Sequence, residues 1–205
     1  MDKLSVAKIL IKLGCVQLRP DDPFTYASGL KGPVYCDNRL LISHVVERRQ
    51  VAQAFVQVIE ASRIEYDLIC GVATAGIPHA CWVADILQRP MVYVRSQAKG
   101  HGKKNCVEGL MPRKSRLLMI EDLVNQGKSS MEAVDNIHSE GGEVLALLSI
   151  VDYQMKAAQK RIAQRKIPFF SLTDFESLIQ AAFDLGELSG DQVKVLAKWQ
   201  DNPEG

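Results

Sequence analysis

Two adjacent carboxylates, Glu121 and Asp122, follow the apolar run Leu117-Leu118-Met119-Ile120. They precede Leu123-Val124-Asn125-Gln126-Gly127-Lys128-Ser129-Ser130, which leads into helix-forming sequence. A run of that kind is a buried strand, and in parallel sheets ligands bind beyond the carboxyl ends of strands. The turn that follows opens a helix, whose free N–H groups and dipole make a cradle for a phosphate. Gly127 allows close backbone approach there, and Ser129 and Ser130 add hydroxyl donors. Acids beside a phosphate cradle suit a sugar phosphate, with carboxylates on ribose hydroxyls and the loop on the phosphate. Gly127-Lys128-Ser129 ends like a nucleotide-binding P-loop, but that motif needs a glycine five positions before Gly127. Asp122 stands there instead, so a triphosphate-binding reading is set aside.

A second stretch is cationic. From Arg95 to Arg116 lie Arg95, Lys99, Lys103, Lys104, Arg113, Lys114 and Arg116 against the single acid Glu108, with His101 and the glycines 100, 102 and 109. A charged loop is often no more than a solvated surface. Placed after a parallel strand, a glycine-hinged cationic lid suits a pyrophosphate leaving group. A third stretch, Gly71-Val72-Ala73-Thr74-Ala75-Gly76, is either plain turn chemistry or a loop of small residues that lets backbone approach an anion.

These loops need a scaffold, and the hydrophobic pattern supplies one. Asp2 caps a first helix whose stripe is Leu4, Ala7, Leu10 and Ile11, ended by Gly14. Residues 15–41 carry short β-prone pieces, Cys15–Leu18, Phe24–Ala27 and Val34–Cys36, broken by prolines and glycines into an irregular hood. A long amphipathic helix is expected over Val45 to Ser62, with Ser43 as its cap. A βα rhythm follows: strands at Asp67–Cys70, Met91–Arg95, Arg116–Ile120 and Val144–Val151, with helices from Pro78 to Gln88 and from Ser129 to Ser139. Ile167–Leu172 reads as a last strand, and Thr173-x-x-Glu176 and Ser189-x-x-Gln192 read as capping boxes opening two short helices.

The 205 residues predict one domain, long enough to bury roughly 70% of the unfolded surface without a disulfide or metal staple. With 25 basic and 24 acidic side chains the formal charge is +1, which argues against a nucleic-acid binder. No apolar run approaches the ~18 residues of a membrane span, and the N-terminus lacks a signal-peptide layout. Five scattered cysteines without metal-ligand spacing read as reduced thiols in a cytoplasmic protein.

Three stretches in this order resemble one family. Glu121-Asp122 through Ser129 is similar to the phosphoribosyl pyrophosphate (PRPP) signature of type I phosphoribosyltransferases. Phe24-Thr25-Tyr26-Ala27-Ser28-Gly29-Leu30-Lys31 with Pro33-Val34-Tyr35-Cys36-Asp37-Asn38-Arg39 resembles the orotate-contacting hood of orotate phosphoribosyltransferases. Tyr93-Val94-Arg95-Ser96-Gln97-Ala98-Lys99-Gly100-His101-Gly102 resembles their mobile catalytic loop.

The resemblance implies an α/β type I phosphoribosyltransferase fold, with a mostly parallel sheet flanked by helices and a small N-terminal hood. Within a single domain, 1–42 would be the hood region, 43–172 the core and 173–205 the C-terminal helices. It implies that orotate and PRPP give orotidine 5′-monophosphate and pyrophosphate in de novo pyrimidine (UMP) biosynthesis. Lys99, His101 and Asp122 would be catalytic. PRPP would bind Arg95, Thr74, Ala75, Gly76, Glu121, Asp122, Leu123, Val124, Asn125, Gln126, Gly127, Lys128 and Ser129. Orotate would meet Ser28, Gly29, Lys31, Tyr35 and Cys36. Magnesium (Mg2+) would be held mainly through PRPP and water, with no direct protein ligand, and a homodimer would share the lid between subunits.

The chain departs from the pattern where Ala75 replaces a frequent lysine, Gln97 a residue often basic, Asn125 a Thr or Ser, and Lys128 a small residue. These changes leave a catalytically silent PRPP- or nucleotide-binding regulator of the same fold as the alternative. His44 and His138 read as solvated, His79 as structural, and Trp82 and Phe55 as core or dimer contacts. Trp199 would pack down the C-terminal helix, and Cys36, beside the base pocket, would be open to thiol reagents.

Overall fold

The structure is a computed structural model and describes residues 1–26, 29, 31–95 and 105–201. Its centre is a six-stranded sheet in the order β10 (Phe169–Asp174), β9 (Glu143–Asp152), β8 (Arg116–Val124), β5 (Leu68–Val72), β6 (Met91–Val94) and β7 (Val107–Glu108). All neighbours run parallel except β6 and β7. Every residue of β5 is buried and so is most of β8, which requires cover on both faces of the sheet. That cover includes α3 (Gly76–Leu87) against β5, β6 and β8, and α4 (Lys128–Ser139) against β6 and β9.

The first helix, α1 (Lys3–Lys12), starts as its sequence dictates: the Asp2 side chain accepts from Ser5 N at 2.7 Å. The hood consists of two small antiparallel pairs, β1 (Val16–Leu18) with β4 (Val34–Cys36) and β2 (Phe24–Thr25) with β3 (Lys31–Gly32). A 3-10 helix, Asn38–Ser43, joins it to α2 (Val45–Ser62). Two further helices, α6 (Phe175–Asp184) and α7 (Gly190–Asp201), close the chain.

Several expectations need correction. Ser43 does not cap α2: it ends the 3-10 helix, and His44 takes the N-cap position with no side-chain hydrogen bond. Thr173 does not open α6 either. Asp174 caps it, accepting from Ser177 N at 2.9 Å, while buried Thr173 donates its hydroxyl to Lys3 O at 2.9 Å. The Ser189–Gln192 box forms as expected, with Ser189 N donating to Gln192 Oε1 at 2.8 Å and Gln192 N to Ser189 Oγ at 3.3 Å. Strand β8 continues to Val124, carrying both acids within the sheet, because β9 pairs with it as far as Asp152. A helix not foreseen, α5 (Lys156–Arg165), fills the crossover between β9 and β10. Phe55 is core, and Trp199 packs on Phe175 with ring centroids 5.4 Å apart.

Candidate active site

Beyond the carboxyl ends of β5 and β8 lies a cleft of about 680 Å³. The loop at 73–75 forms one wall, and the end of β8 with the turn into α4 forms the other. Thr74, Ala75, Glu121, Asp122, Leu123, Asn125, Gln126, Gly127, Lys128 and Ser129 all line it. Ser130, Ala73 and Glu132 line it too. Glu132 carried no sequence signal, since one acid in the first turns of a helix is commonplace.

The close spacing of the two walls is built by a glycine. A Cβ added at Gly76 would meet the Ile120 carbonyl oxygen at 2.5 Å, so α3 can start against β8 only without a side chain there. Gly76 is therefore buried and supports the cleft from behind rather than lining it. Val124 likewise points into the core.

Glu121 and Asp122 divide the chemistry. Glu121 is buried, its Oε1 accepting from Asp122 N at 3.1 Å and its Oε2 from the Ser130 hydroxyl at 3.3 Å. Burial foremost, then the Asp122 charge, raises its carboxyl well above the usual range. Asp122 is half-buried at the mouth of the cleft. Gly127 stands at the N-cap of α4 with φ +70°, and no side chain caps that helix, so its first amides keep their donors for a ligand. Lys128 and Ser129 follow as exposed first-turn residues.

Arg95 does not reach this cleft in the present arrangement. It is ion-paired with Glu108 across β6 and β7, and its carbonyl accepts from Asn136 Nδ2 at 2.9 Å. Lys99, His101 and Ser28 lie outside the described residues. In the hood, Gly29, Lys31 and Tyr35 are exposed, and none of them lines the cleft. Cys36 is partly buried, and its thiol is raised well above its ordinary value by burial and then by the Asp122 charge. That corrects the expectation of a reactive thiol, since the thiolate is the nucleophile.

Two residues tie the site to distant parts of the chain. Asn38, quoted in the hood motif without a role, donates from Nδ2 to Asp122 O at 2.9 Å. Arg161, on the unforeseen α5, donates from Nη1 to Gln126 O at 2.6 Å. His79 is buried in α3 against Trp82, and burial lowers its pKa to about 4, in keeping with a neutral packing role.

No family model matches the chain. Individual relatives do. It is 42% identical over 201 residues to an orotate phosphoribosyltransferase of Halalkalibacterium halodurans, covering 98% of this chain and 96% of that one. It is 43% identical over 202 residues to the Bacillus caldolyticus orotate phosphoribosyltransferase, covering 98% of each. The chain belongs to the orotate phosphoribosyltransferase family. A crystal structure of the orotate phosphoribosyltransferase from Aeropyrum pernix agrees, with TM-score 0.72 and 28% identity over 88% of this chain and 99% of that one. In this chain the cleft sets a carboxyl pair beside a helix N-terminus. Nothing in these likenesses favours a silent regulator.

Proposed function

We propose that the cleft binds PRPP with its 5′-phosphate on the 125–129 turn, its ribose on Glu121 and Asp122, and its pyrophosphate along the 73–75 loop, while the hood presents orotate. The observation that carries this reading is the cleft itself: acids from β8 and free amides of α4 face one space, opposite a wall of small residues. In the transfer, the C1′–oxygen bond breaks with its electrons leaving on pyrophosphate. N1 of orotate bonds to C1′ and gives up its proton to the departing pyrophosphate or to solvent. Positive charge develops on the sugar ring, where Asp122 stabilises it, and no protein nucleophile takes part.

Lys99 and His101 neutralise the leaving group, and Arg95 joins them once it exchanges Glu108 for pyrophosphate. Magnesium suits this donor set, since it keeps several waters and takes one or two carboxylates together with substrate phosphates. When bound it would neutralise pyrophosphate charge, held mainly through PRPP and water. The departures at Asn125 and Lys128 retune rather than remove phosphate binding, because both present donors to the turn. The protein acts as a cytoplasmic homodimer. Its free cysteines fit a reducing compartment, and Val45 and Val46, 61% and 64% exposed beside Leu40 and Ile42, form an apolar face for a second copy. Among the described residues no helix is long and apolar enough to cross a membrane.

Spectrophotometric loss of orotate in the presence of PRPP and magnesium tests the reading. Turnover is expected, and Lys99→Ala should lower it by orders of magnitude at unchanged Tm. PRPP binding without turnover, or turnover only with another base, would overturn it.

A further inference from the structure

Asn38 is fully buried at the start of the 3-10 helix, with one residue between it and the end of the hood strand β4. Its side chain donates from Nδ2 to a main-chain carbonyl 84 positions away, that of Asp122. The last β5–β8 pair is Gly71 with Ile120, so Asp122 lies past the point where β8 loses that neighbour. A side chain there does what a ladder donor does earlier in the strand. The acceptor also fixes the orientation of the amide, because only Nδ2 can donate to a carbonyl. Asn38 Oδ1 is left buried with no partner among the described residues. The gain from satisfying the Asp122 carbonyl is thus offset by an unsatisfied atom of the amide itself, and an apolar residue of the same shape would lose the one while avoiding the other.

We propose that Asn38 is a positioning residue for the transfer: it sets the register between the base-presenting hood and the ribose-holding carboxylates by fixing the Asp122 main chain. This rests on the assignment of orotate to the hood and ribose to Glu121 and Asp122. N1 of the base and C1′ of the sugar are bound by different parts of the chain, and Asn38 is a direct bond between those parts. A displacement of about 1 Å between reacting groups costs on the order of a hundredfold in rate. The geometry therefore makes Asn38 matter for kcat more than for the capture of either substrate.

Two variants remove the donor, Asn38→Leu keeping the volume and Asn38→Ala leaving space. Each is compared with the unaltered protein in steady-state kinetics with orotate and PRPP, in titration with PRPP alone, and in thermal melts. The expected result is a kcat lowered by roughly tenfold or more. PRPP affinity should move much less, and Asn38→Leu should melt at or near the temperature of the unaltered protein. A folded variant of either kind with unchanged kcat overturns the proposal, as does loss of folding in both, which would make Asn38 structural. Absence of orotate turnover in the unaltered protein would instead overturn the assignment of substrates, so the two failures are distinguishable.

Discussion

Arg161 Nη1 donates to the main-chain oxygen of Gln126 at 2.6 Å, fastening α5 to the turn that leads into α4. The two segments also meet backbone to backbone, since a Cβ on Gly127 would lie 3.2 Å from Ala158 Cα. Arg165 adds a bidentate pair to Asp135 on α4 at 3.0 and 2.7 Å. Arg161 itself is not among the residues that line the cleft, so this buttress acts through the turn proposed to hold the phosphate.

Arg161→Ala should therefore weaken PRPP binding with little loss of kcat. Hydrogen bonds to charged groups contribute about 1.5–3 kcal/mol, and exposure places this one at the low end, so roughly tenfold in affinity is the ceiling of the effect. Arg161→Lys should recover part of the loss, because a cation still reaches the carbonyl. PRPP titration and KM for PRPP check this; an alanine variant with unchanged affinity would remove the buttress role.

That buttress was not legible in the sequence, and the reason is physical. In α5 only Ala158 and Ile162 are buried, and Lys156, Gln159, Lys160, Arg161 and Arg165 surround them, so its apolar stripe is too narrow to announce a helix. Residues whose signal is local were legible: Asp2 and the Ser189–Gln192 box cap as written, and the apolar runs became β5, β6, β8 and β9. At residues 173 and 174 two good caps stand side by side, and a long-range contact of Thr173 with α1 decides between them. The acids, the small-residue loop and the turn into α4 were legible as walls of one cleft, because each lies at or beyond the carboxyl end of a buried strand of the parallel sheet. Asn38 was not, because its meaning lies in a partner 84 residues distant.

Cysteine chemistry should follow environment rather than proximity to the base pocket. Burial pushes the Cys15 thiol to about 11 and the Cys70 thiol to about 12, and holds Cys36 well above its ordinary value with added repulsion from Asp122. Cys81 is exposed on α3, with a smaller upward shift from partial burial. Limited alkylation with iodoacetamide at pH 7.5, read by mass spectrometry, should label Cys81 well before Cys15, Cys36 or Cys70. Labelling of Cys36 at the rate of Cys81 would mean that the hood opens far more often than its buried contacts imply.

Glu121 should make the protein less stable as the solution becomes more alkaline. Burial, and then the charge of Asp122, raises its folded-state pKa, while the hydrogen bonds from Asp122 N and the Ser130 hydroxyl oppose the shift. The unfolded chain loses this proton near the ordinary value of 4.5, whereas the folded chain keeps it. Between those two pKa values the native state binds more protons, so stability falls with rising pH by up to about 1.4 kcal/mol per unit for this one group. Below the unfolded value both states are protonated and the effect vanishes. Glu121→Gln keeps the shape and cannot ionise, so it should match the parent protein at pH 4 and exceed it increasingly as pH rises above 4.5. Asp152, also raised by burial, contributes a fall of the same sign to both proteins and cancels in the difference. Urea midpoints measured from pH 4 to 8 test the sign directly: parallel curves for parent and variant would show that Glu121 is ionised in the folded protein, with Asp122 tolerating the second charge beside it.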